Sequence, residues 1–144
     1  MDAYSAYIRS SGEGATPLQM VVLLYDQLIK DLRRAVTKMP DVEARTHELD
    51  HALKVLGQLQ GTLDLGQGQV AANLDRFYTI LRANLLEVQV TKSTVLLKEQ
   101  INYLTQLREA WAEVERNALP EEPVDRTTAF TVAEDLDSVA DWTG

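Results

Sequence analysis

From residue 16 onwards, apolar positions recur at three- and four-residue spacing in four successive runs, each closed by residues that interrupt a helix. Thr16-Pro17-Leu18-Gln19 opens the first: Thr16 suits the cap, Pro17 the first helical position, and Gln19 completes a capping box. Leu18, Val21, Val22, Tyr25, Leu28, Ile29, Leu32, Val36 and Met39 then fall on one face until Met39-Pro40 stops the helix. Asp41 suits the next cap, and Leu49, Ala52, Leu53, Leu56, Leu59 and Leu63 form the second stripe, broken at Gly66-Gln67-Gly68. Val70, Leu74, Phe77, Leu81, Leu85 and Val88 make the third. Ser93 or Thr91 suits the last cap, before Leu97, Ile101, Leu104, Leu107, Trp111 and Val114. The alternating pattern of strands is lacking. The pattern predicts an all-α protein, an antiparallel up-down four-helix bundle over residues 16–119, with helices about 30 Å long.

Two helices carry more apolar residues than one stripe needs. Met20, Leu23 and Leu24 lie outside the first stripe, so that Met20 to Tyr25 is apolar nearly all the way round; Ile80 and Leu86 repeat this more weakly on the third helix. A surface helix with an apolar outer face has something covering it. A groove for a partner helix is one reading and a homodimer interface is the other. Residues 1–15 form a polar N-terminal arm bearing Tyr4, Tyr7 and Ile8, and its Gly12-Glu13-Gly14 hinge would let the arm lie across the same groove or lift away.

Charge adds a second boundary. The 144 residues hold 14 Lys and Arg against 22 Asp and Glu, a net charge of −8. Residues 1–119 hold 13 basic and 15 acidic groups, net −2; residues 120–144 hold one basic and seven acidic groups, net −6. The change falls at Pro120-Glu121-Glu122-Pro123, which stops a helix. Residues 120–144 are thus an acidic tail, either disordered or a short fifth helix with Ala129, Val132, Ala133, Leu136, Val139 and Ala140 on one face. So acidic a chain argues against nucleic acid and anionic lipid as partners. Met1 to Gly12 is too polar for a signal peptide, and Met20 to Tyr25 is too short to insert in a membrane. A cytoplasmic protein is expected.

Catalytic signatures are weak. The absence of cysteine excludes thiolate chemistry and disulfides. His47-Glu48-Leu49-Asp50-His51 fits the zinc-hydrolase pattern H-E-x-x-H, but Leu49 on the buried stripe turns both histidines towards solvent. Lys54, Gly57 and Ala71 stand where further elements of the zinc motifs would fall. Gly66-Gln67-Gly68 lacks the Lys-Ser/Thr of a phosphate loop, and there are no Glu-x-x-His pairs for a di-iron bundle and no inward histidine for haem. The reading is of a protein that is not an enzyme, with no cofactor and no metal.

Ala15-Thr16-Pro17-Leu18-Gln19-Met20-Val21-Val22-Leu23-Leu24-Tyr25-Asp26 resembles the first long helix of the flagellin export chaperones, the FliS family, and Tyr7 matches the tyrosine of that family's N-terminal arm. Gly68-Gln69-Val70-Ala71-Ala72-Asn73-Leu74 with Phe77-Tyr78 resembles its third helix, and Leu107-Arg108-Glu109-Ala110-Trp111 is similar to its closing helix. The similarity runs in order over about residues 4–116. Ile80 stands where the family often has a second tyrosine, Val88-Gln89 where it favours Ala-Asn, and the tail after Pro120 goes beyond its common core. The resemblance implies a cytoplasmic chaperone that holds the C-terminal helical segment of flagellin, blocks premature filament assembly and passes the subunit to the flagellar type III export apparatus. An export-gate component or co-chaperone would be a further partner. Candidate contacts are Tyr7, Leu18, Met20, Leu23, Leu24, Tyr25, Tyr78 and Ile80. The alternative is a self-associating structural bundle, a homodimer without that role.

Overall fold

The computed structural model describes residues 16–63 and 68–117. The expected N-terminal arm, with Tyr7, and the acidic tail lie outside the described residues. Four helices follow one another: α1 (Pro17–Thr37), α2 (Val42–Gly61), α3 (Gln69–Thr91) and α4 (Thr94–Asn117). Each packs on its predecessor, and α4 closes the ring against α1. The result is the all-α four-helix arrangement expected from the stripes.

Local chemistry accounts for the helix ends. At α1 the capping box is complete: the Gln19 N–H donates to Thr16 Oγ1 at 3.1 Å, and the Thr16 N–H to Gln19 Oε1 at 2.8 Å. Asp41 caps α2 through the Ala44 N–H at 3.2 Å. Gly68 precedes α3 at φ 97°, a conformation that an L side chain rarely adopts. α3 ends on Lys92, held left-handed at φ 59° while its N–H reaches the Val88 carbonyl at 2.8 Å. Of the two caps considered for α4, Ser93 serves, accepting from the Leu96 N–H at 3.1 Å; Thr91 closes α3 instead. Only Lys92 and Ser93 separate α3 from α4, so the two helices must run antiparallel.

The core follows the four stripes, with Tyr25, Leu28, Leu32, Leu56, Leu59, Leu81, Leu85, Leu97, Leu104 and Leu107 fully enclosed. Leu18, Val21, Val36, Leu53, Leu63, Val70 and Ile101, also counted on those stripes, are half-buried at their margins. Five polar side chains are buried as well: Asp31, Arg45, Glu48, Asn73 and Gln100. Burying a charge is costly unless it is paired or hydrogen-bonded, and each of the charged three is. Glu48 pairs with Lys38 at 2.9 Å. Arg45 donates to the Met39 carbonyl at the end of α1 and to Gln89 of α3 at 3.4 Å, tying three elements together. Asp31 accepts from Gln27 at 2.8 Å and lies 2.5 Å from His51 Nδ1. Burial raises the pKa of the Asp31 carboxyl, and the bonds from His51 and Gln27 offset part of that rise.

Two expectations are corrected. Leu24 belongs to the core, with 6% of its surface exposed, because α1 is packed from two sides, by α2 and by α4. His51 is half-buried and not fully solvated, because the α1–α2 contact sets its Nδ1 against Asp31. His47 is exposed and Glu48 turns inwards to Lys38, so the H-E-x-x-H residues are engaged separately. Among the described residues no three His, Asp or Glu side chains gather in a group able to hold a metal.

Candidate partner-binding surfaces

The order of the helices decides which apolar residues share a face. In the ring, α1 and α3 stand diagonally opposite, each flanked by α2 and α4. They meet through the core, where the Tyr25 and Tyr78 hydroxyls lie 2.6 Å apart and the ring centroids 6.4 Å apart. Phe77 meets Tyr78 edge-on at 5.8 Å. Both hydroxyls are fully enclosed. Burial pushes Tyr25 up to about 12 and Tyr78 well above the ordinary tyrosine value, so both stay protonated at neutral pH. The Trp111 indole N–H lies close enough to Tyr25 to lower its pKa slightly, yet it completes no hydrogen bond of ordinary geometry among the described residues.

The expected contact residues therefore separate. Leu24, Tyr25 and Tyr78 are core side chains, with 6%, 0% and 1% of their surface exposed, and offer a partner nothing in this conformation. Leu18, Leu23 and Ile80 are half-buried, and Met20 is exposed. Because α1 and α3 are diagonal, Met20 and Leu23 on one and Ile80 on the other do not frame a common groove. The surplus apolar positions form two faces.

The α3 face is the more extensive. Thr79, Ala83, Leu86 and Val90 are exposed at spacings of four, three and four residues, an uncharged strip about 16 Å long. Leu86 and Val90 are the large members, 52% and 81% exposed, and Val95 in the first turn of α4 adds a third exposed aliphatic side chain. α3 packs less closely on its neighbours than α1 does, which leaves this strip uncovered by the described residues. Val90 and Val95 were not anticipated. Val90 sits four residues after Leu86 and opposite the buried Leu81 and Leu85, so the helical phase contains the signal.

A sequence model described as "Flagellar protein FliS" matches residues 1–118. The chain belongs to that family. Two similar proteins are both named "Flagellar secretion chaperone FliS". The one from Bacillus subtilis (strain 168) is 27% identical over 112 residues, covering 76% of this chain and 84% of its own. The one from Campylobacter jejuni subsp. jejuni serotype O:6 is 28% identical over 118 residues, covering 80% of this chain and 92% of its own. The family match ends one residue beyond α4, so the whole acidic tail, residues 120–144, lies past it. No helix among the described residues is long and apolar enough to cross a membrane.

Proposed function

We propose that this protein is a flagellar export chaperone that binds the C-terminal helical segment of flagellin, keeps it from polymerising and delivers it to the type III export apparatus. Membership of the FliS family supports the chaperone role. The observation that carries the binding role is the uncharged strip Thr79, Ala83, Leu86 and Val90 on a helix otherwise built for a bundle surface. Its spacing is the one with which a helix receives the apolar face of another helix. Met20 and Leu23 lie on the α1 side, so a partner that uses both faces must pass around the bundle and not along one groove. Tyr7 and Leu18 remain proposed contacts at the α1 end. Cytoplasmic residence and release by competition, without catalysis, complete the reading.

Light scattering with and without a flagellin C-terminal peptide tests it. The proposal requires a shift to the mass of one chain plus one peptide. A stable dimer whose mass ignores the peptide would instead assign the exposed α3 face to self-association.

A further inference from the structure

Apart from that strip, α1 and α4 leave a cleft of about 420 Å³ floored by Ile29. Its rim carries Asp26, Lys30, Arg33 and Arg34 from α1, with Arg108 and Glu109 from α4. Arg108 is already engaged: its Nε and Nη2 donate to the two oxygens of Asp26 at 2.8 and 3.3 Å, and Nη1 reaches Glu109 at 3.3 Å. Lys30, Arg33 and Arg34 have no ion pair among the described residues. Arg34 gains from the carbonyl end of α1, but that field fades within the last turn and does not account for Lys30. Three cations within five residues and without an ion pair make a basic patch on a chain of net charge −8.

The same chain holds their complement. Glu134, Asp135 and Asp137 place three carboxylates within four residues of the tail. The Asp26–Arg108 pair fixes the register of α1 against α4, and α4 runs nine residues past Arg108 to Asn117, about 14 Å. Arg33 lies seven residues beyond Asp26 in the other direction, about 10 Å further. A chain leaving Asn117 must therefore travel back about 24 Å, which roughly eight extended residues span. Glu134 lies 17 residues after Asn117, so the acidic cluster reaches the cleft with slack.

We propose that the acidic tail folds back on its own bundle and seats Glu134, Asp135 and Asp137 against Lys30, Arg33 and Arg34 in the α1–α4 cleft. Each exposed ion pair is weak. The tether raises the local tail concentration to about the millimolar range, which lets a weak contact form within one molecule. The docked tail neutralises a basic patch that other acidic segments would otherwise occupy. The proposal stands apart from flagellin binding, and its test uses no flagellin.

The chain has no cysteine, so Ser138→Cys gives one site for a nitroxide label on the full-length protein. The proposal requires loss of most amide signal intensity in residues 29–37 and 105–109 at low salt. That loss should disappear at about 1 M salt, where the screening length falls to about 3 Å. It should also disappear when Glu134→Gln, Asp135→Asn and Asp137→Asn are combined, substitutions that leave the bundle untouched. An unbroadened cleft at low salt overturns the proposal, as does broadening centred on Leu86 and Val90. Mixing labelled chains with unlabelled isotope-enriched ones separates the two sources of contact. Broadening that survives in the mixture means the tail docks on a second copy, and it contradicts the intramolecular assignment.

Discussion

Replacing Tyr25 by Phe removes one hydroxyl from the 2.6 Å contact that joins the diagonal helices and strands the other, on a Tyr78 that is 1% exposed. A buried hydroxyl left without a partner costs about 1–3 kcal/mol, whereas removing both partners with little change of shape is nearly neutral. Tyr25→Phe and Tyr78→Phe should each cost an amount within that range, because each strands the other's hydroxyl. The double variant should be no less stable than the worse single one, giving a coupling of about 1–2 kcal/mol. Urea unfolding followed by far-ultraviolet circular dichroism measures this directly. With a slope of about 1–3 kcal/mol per molar, the single variants should shift the midpoint down by about 1 M. Single variants with the parental midpoint, or a double variant whose loss equals the sum of the two, would show that the two hydroxyls do not depend on each other.

The same pair sets an alkaline limit. Both hydroxyls hold their protons above the ordinary tyrosine value of 10.0, so their contribution is complete below that pH and is lost as pH rises through the folded-state values. The loss should amount to about 1.4 kcal/mol per pH unit per tyrosine, and a melting series from pH 9 to 12 in the parent and the double Phe variant will show it as a steeper fall in the parent. Arg45→Met should cost about 2–3 kcal/mol in urea unfolding, because the Met39 carbonyl and Gln89 lose a charged donor that is 2% exposed. Thr16→Ala opens the capping box and should cost about 1 kcal/mol, read as a lower urea midpoint.

The helices, their caps and the inward stripes were legible because each depends on residues close together in the chain. Thr16 and Gln19 need only each other, and Leu28, Ile29 and Leu32 share a face by spacing alone. Residues on the flanks of a stripe were not legible in the same way. Leu24, Asp31 and His51 are governed by the neighbour that each flank meets, and helical phase gives an angle without naming that neighbour. Tyr25 and Tyr78 illustrate the same limit, because both resemble contact residues in sequence while their diagonal pairing commits them to the core. Leu86 was visible as surplus apolar surface. Its partner Val90 follows from the same phase, provided the uncharged run is carried to the end of α3.

The central claim is that the exposed α3 strip receives a flagellin helix. Titration calorimetry of the full-length protein with the flagellin C-terminal segment, repeated with Leu86→Glu and Val90→Glu combined, tests it most directly. Both side chains are exposed, so each substitution should change stability by no more than about 0.5 kcal/mol. One-to-one binding with a negative heat-capacity change is expected for the parent, and loss of binding for the double variant, which stays folded by circular dichroism. Parental affinity in the folded double variant would contradict it.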